Sequence, residues 1–179
     1  MSSYGRHVIH GLIAGLITGL IVSLLTILIF MSSIEALMED LVRNQLSKTL
    51  PPNELEEALK VIKGSIQAVM LIAPVAQVIQ YLLLGALFGL VKGLLNTKLR
   101  LSEVLSAIAV GALYIILLSI IPIAVISTLE PELMEVISNH FNPYLMALTP
   151  GAIFAATIVL ISIVKGPWTK LIEAKPKEV

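Results

Sequence analysis

An all-α integral membrane protein with four transmembrane helices is the fold that this sequence predicts, and three observations predict it. Of its 179 residues 57% are hydrophobic and 13% charged, with a mean hydropathy of +0.96, a balance that belongs in a bilayer and not in a soluble domain. The apolar residues gather into four runs, 8–31, 66–95, 104–127 and 144–164, and roughly 20 helical residues suffice to cross about 30 Å of hydrocarbon. Inside the first run Gly11, Gly15, Gly19 and Ser23 recur at every fourth position, a glycine-zipper stripe along which another helix can approach backbone to backbone.

The first span follows a short polar start that contains Arg6. A cleavable signal peptide has an apolar stretch of only about 7–15 residues, so this run reads as a retained helix. Residues 32–65 form an outer hairpin. Ser32-x-x-Glu35 is a capping-box pattern, and Ile34, Leu37, Met38, Leu41 and Val42 then keep helical spacing. Pro51-Pro52 ends the connection, and Asn53-x-x-Glu56 opens a second amphipathic helix with Leu55, Ala58, Leu59 and Ile62 on one face.

The second span is long for its task, which predicts tilt or a bend at Pro74. After the third span, residues 128–143 hold a short outer helix with Pro131 in its first turn, ending at Asn142-Pro143. The fourth span leads into a basic tail, 165–179, where Trp168 suits an interfacial anchor. The whole chain reads as a single membrane domain.

Orientation follows from Lys and Arg. Eight of the twelve (Arg6, Lys92, Lys98, Arg100, Lys165, Lys170, Lys175 and Lys177) fall on the side that carries both termini. The positive-inside rule therefore predicts a protein of the cell membrane with both termini cytoplasmic. Nine of the twelve acids fall on the opposite side.

Sliding the chain by 96 residues sets Gly11, Gly15 and Ser23 opposite Ala107, Gly111 and Ser119, and Leu37-Met38-Glu39 opposite Leu133-Met134-Glu135. Gly19 meets Ile115. Such a tandem two-helix repeat would have a pseudo-two-fold axis along the membrane normal, and it would make Ala107, Gly111 and Ser119 the partner of the glycine stripe.

Chemistry-bearing residues are few. With equal numbers of acids and bases there is no net charge, and nothing points to nucleic acid. No cysteine is present, which excludes thiolate metal sites and a cysteine nucleophile. Hydrolase, nucleotide-binding and zinc-protease motifs are missing; no enzyme activity, cofactor or metal is expected. No ionisable residue falls mid-span, which argues against an ion-coupled pump. His7 and His10 stand three apart at the inner edge, and two histidines alone make a poor metal site, so headgroup contact is the expected role.

The most polar intramembrane patch is Gln77, Gln80 and Tyr81, which share one helix face with Gly85 and Gly89 further inward. Pro74, Pro122, Thr149 and Pro150 fall at one outer level and could shape a vestibule. Two functions follow: a structural or assembly subunit that binds other membrane subunits or itself through helix packing, or a transporter or channel component for a small neutral or lipid-like solute.

Overall fold

The structure, a computed structural model, describes residues 3–164, so Trp168 and the tail 165–179 lie outside the described residues. Among the described residues there are seven α-helices and no strand: α1 (Ser3–Leu25), α2 (Met31–Leu46), α3 (Pro52–Lys98), α4 (Glu103–Ile115), α5 (Ile121–Leu129), α6 (Pro131–His140) and α7 (Pro143–Ile163). Five-residue π-helical turns, Thr26–Phe30 and Ile116–Ile120, carry α1 into α2 and α4 into α5 without a break. Four stretches are thus long and apolar enough to cross a membrane: Gly5–Leu46, Pro52–Lys98, Glu103–Leu129 and Pro143–Ile163.

The four stretches run up, down, up and down around a square. α1 packs along α3 and α7, and α4 packs along α7 and α3, which leaves α1 and α4 across a diagonal. The end where α1 begins is called the base here, and the opposite end the top. At the base, Arg100 turns the chain with a left-handed φ of 52°, and the Asn96 side chain donates to the Leu101 carbonyl at 2.8 Å. Ser102 caps α4 by accepting from the Leu105 N–H, and Asn142 caps α7 by accepting from the Tyr144 and Leu145 N–H groups.

The predicted outer hairpin differs in one respect. Ser32 and Glu35 make no capping box; the chain passes from α1 into α2 as continuous helix, and α3 runs for 47 residues from Pro52 to Lys98 with Pro74 inside it. At about 1.5 Å per residue α3 is about 70 Å long, far beyond the hydrocarbon thickness. The projecting parts of α2 and α3 are stitched by Arg43 to Glu56 at 3.5 Å, Lys63 to Glu39 at 3.3 Å and Gln67 to Glu35 at 3.3 Å. His140 of α6 reaches Asp40 of α2 at 2.9 Å. The π-helical turn before Pro122 has a local cause, since proline lacks the N–H and its ring crowds the carbonyl four residues back.

Below the stalk the outside of the bundle is apolar: Leu28, Leu71, Ile72 and Leu83 are 71%, 75%, 66% and 63% exposed. Such a surface suits lipid as its solvent.

The glycine stripe is an internal seam, but its partner is α3, not α4. A Cβ on Gly11 would lie 2.6 Å from the Gly89 Cα, and one on Gly85 would lie 2.8 Å from the Gly15 Cα, so the two backbones touch where side chains are missing. Gly19 faces Val78 and Tyr81 in the same way, and the Ser23 hydroxyl donates to the Pro74 carbonyl at 2.9 Å. Of the expected partners on the diagonal helical stretch, Gly111 and Ser119 face α7 instead, Gly111 packing on Ala155 and Ser119 against Gly151, while Ala107 is fully buried in the core. Between the seams lies the core of Ala14, Phe88, Ala107, Val110, Tyr114, Phe154, Ile158 and Ile161.

Candidate functional site

Two features stand apart from simple apolar packing: a group of cavities toward the top and a buried charged cluster at the base. The first cavity, of about 180 Å³, lies between α1, α3 and α7 and is lined by Val22, Leu25, Thr26, Phe30, Gln77, Tyr81, Met146, Thr149 and Pro150. A second, of about 420 Å³, adjoins it through Thr26, Gln77 and Met146 and is bordered by Pro74 and Gln80. A third, of about 360 Å³, lies under α6 among Ile34, Leu37, Pro122, Ile126, Met134, Ile137 and Phe141, and Met146 again forms part of its wall.

Three cavities therefore meet at one methionine, a flexible and adaptable side chain. All of Pro74, Gln77, Gln80, Tyr81, Pro122, Thr149 and Pro150 border one of them. Gln77 also ties helices together, its side-chain amide lying 3.3 Å from both the Ser23 and the Thr26 hydroxyl oxygens. Interhelical bonding and cavity lining thus fall to the same side chain. Gln80 is mostly exposed on the rim. The remaining walls are largely apolar, and the polar groups of the first cavity come from three helical stretches: Thr26 above α1, Gln77 and Tyr81 of α3, and Thr149 of α7.

The floor of this region is aromatic. Tyr114 stacks on Phe154 with ring centroids 4.2 Å apart, and Phe88 lies 4.9 Å from Tyr114 and 5.9 Å from Phe154. Tyr114 is 2% exposed and Phe154 fully buried. One turn of α7 separates Phe154 from Pro150, so the rings close the bundle directly beneath the first cavity.

Beneath the rings sits Lys92, which the charge pattern groups with Lys98 and Arg100 in the turn 92–100. Its side chain is fully buried. The ammonium donates to Glu103 Oε2 at 3.1 Å, to the Ser162 hydroxyl at 2.8 Å, and lies 3.1 Å from His10 Nδ1. The four groups come from α3, α4, α7 and α1, so one side chain ties all four spans at the base. Arg6 adds a second cation on Glu103, 3.5 Å from Oε1.

His7 and His10 are not at a headgroup surface either; they are 1% and 4% exposed. Both fall on the helix face that carries Gly11, Ala14 and Thr18 into the bundle, and that phase is the signal by which their burial could have been found. Glu103, from a helix distant in sequence, brings a carboxylate to them: the ligand atoms of His7, His10 and Glu103 lie within 4.8 Å of one another. His7 Nδ1 is buried without a hydrogen-bond partner and lies 3.8 Å from Glu103 Oε2. With the proton of the neutral ring on Nε2, Nδ1 and the carboxylate are two acceptors facing one another.

No protein family, curated protein or solved structure matches the chain.

Proposed function

We propose that this protein is a multi-pass cell-membrane carrier, or a component of one, for an uncharged amphipathic, lipid-like solute. The observation that carries the reading is the meeting of three cavities at Met146, among them a small one with four polar side chains in its lining and a larger apolar one under α6. At about 30 Å³ per water, the first holds about six waters' worth of solute, the scale of a small polar headgroup. Thr26, Gln77, Tyr81 and Thr149 offer hydroxyl and amide groups there, with no formal charge to match an ion. The apolar space beyond Met146 suits the tail.

Packing of the α1 stripe into α3 leaves that stripe no free face for another subunit, so the assembly reading draws no support from it. The basic residues put the base in the cytoplasm with both termini, which makes the top an outward vestibule. The diagonal placement of α1 and α4, with a π-helical turn ending each, is the arrangement a tandem repeat about an axis along the membrane normal would produce.

The test is flux in liposomes with a fluorescent alkyl glucoside whose fluorophore is quenched by external dithionite. Vesicles containing the protein should lose the signal from both leaflets, and empty vesicles from the outer leaflet alone. Met146→Trp, which fills the junction, should slow the second phase at least tenfold with an unchanged melting temperature. Equal protection in protein-containing and empty vesicles would remove the proposal.

A further inference from the structure

The base cluster carries an inference that does not depend on the carrier reading. Its groups can be named from every packed element: Arg6, His7 and His10 from α1, Lys92 and Asn96 from α3, Glu103 from α4, and the Ser162 hydroxyl from α7. Lys92 has its hydrogens placed on a carboxylate, a hydroxyl and an imidazole. His7 Nδ1 has none of these, although it is buried and faces Glu103. Buried polar atoms are almost always satisfied, and this one points at the single carboxylate of the cluster.

A cation between His7 and Glu103 would satisfy Nδ1 and give Glu103 one partner more, and two kinds compete for the place. With neutral histidines the cluster already holds two cations, Lys92 and Arg6, against one carboxylate. A divalent metal would add two further charges beside a buried ammonium, in a setting where unpaired charge is expensive. A proton adds one, and it places a donor between the two facing acceptors.

We propose that the base cluster is a proton-binding site in which His7 Nδ1 takes up a proton and, as an imidazolium, competes with Lys92 for Glu103. The proton comes from hydronium in the water at the base, where the Glu103 side chain is 33% exposed; one O–H bond breaks as the N–H bond forms on the Nδ1 lone pair, and release reverses the exchange. Lys92 keeps His10 and Ser162 but loses part of its hold on α4. The tie between the four spans is therefore full when His7 is neutral and weakens as pH falls through the point at which it protonates. Ionisable clusters at membrane depth commonly serve proton movement, and if the carrier reading holds, this one is the gate at the base.

The experiment is nitrogen-15 NMR of histidine-labelled protein in lipid nanodiscs from pH 8 to pH 5, with His7 assigned by loss of its signals in His7→Gln and by retention in His10→Gln. The expected result is an unprotonated Nδ1 at pH 8 that converts to the doubly protonated ring on acidification, with the midpoint in Glu103→Gln lower by about one unit, a tenfold loss of proton affinity. In parallel, Ser106→Cys, buried one turn above Glu103, should react with a maleimide several-fold faster at pH 5.5 than a solvent-exposed control cysteine at Leu99, both referred to their rates at pH 8. A His7 that stays neutral to pH 5, a midpoint unmoved in Glu103→Gln, or Ser106→Cys labelling that follows the control would each overturn the proposal. None of these readouts uses flux, so a failed carrier assay leaves them standing.

Discussion

Lys92 Nζ lies 3.1 Å from Glu103 Oε2, and the two ends of this pair are not equivalent. Lys92 is fully buried, whereas Glu103 keeps 33% of its side-chain surface and has Arg6 as a second partner. Removing the carboxylate strands a buried ammonium; removing the ammonium leaves a carboxylate that still has a cation and water.

Glu103→Ala should therefore destabilise the fold by about 3–5 kcal/mol, the usual cost of breaking a buried pair from one side. Lys92→Met, which keeps the stem and drops the charge, should cost less than half as much. Denaturant unfolding in mixed micelles checks both, and equal losses would contradict the asymmetry.

The glycines give a contrast within one helix. Gly85→Ala places a methyl group against the Gly15 backbone, and overpacking of this kind costs about 1–3 kcal/mol. Gly64 has open space around it, so Gly64→Ala should stabilise α3 by about 0.5–1 kcal/mol. Thermal melts of the two variants should move in opposite directions. Because the seam lies within one chain, the mass in detergent should stay unchanged for Gly85→Ala.

Orientation can be read from single cysteines, since the native chain has none. Ser47 and Ser138 lie in the top connections and are exposed, and Leu99 is 64% exposed at the base turn. A membrane-impermeant maleimide added to intact cells should label Ser47→Cys and Ser138→Cys and leave Leu99→Cys unlabelled. The reverse pattern would place the basic end outside.

Much of the architecture was legible because it depends on runs and periods. Apolar length marked the four spans, and small-residue spacing marked the seam. The partner of the seam was not legible, since Ala107, Gly111 and Ser119 offer the same smooth surface as Gly85 and Gly89; the square arrangement of the helices decides between them. The α1–α2 junction was misjudged because Ser32-x-x-Glu35 resembles a helix start even where the preceding turn is already helical. Lys92 read as part of a basic turn because Lys98 and Arg100 follow it, yet it lies one turn after Phe88 on the buried face of α3. Its partner Glu103 is nearby in sequence only across the base turn, while His10 and Ser162 are 82 and 70 residues away. Pairings at that distance leave no periodic trace.

Photo-crosslinking reads out whether a lipid-like solute occupies the space around Met146. An alkyl glucoside carrying a diazirine on its sugar, activated in bilayers containing the protein and mapped by mass spectrometry, should label Thr26, Gln77, Tyr81 and Thr149. Met146→Trp should abolish that labelling. Crosslinks confined to the lipid-facing residues Leu71, Ile72 and Leu83, unchanged in Met146→Trp, would mean that the space around Met146 holds no such solute.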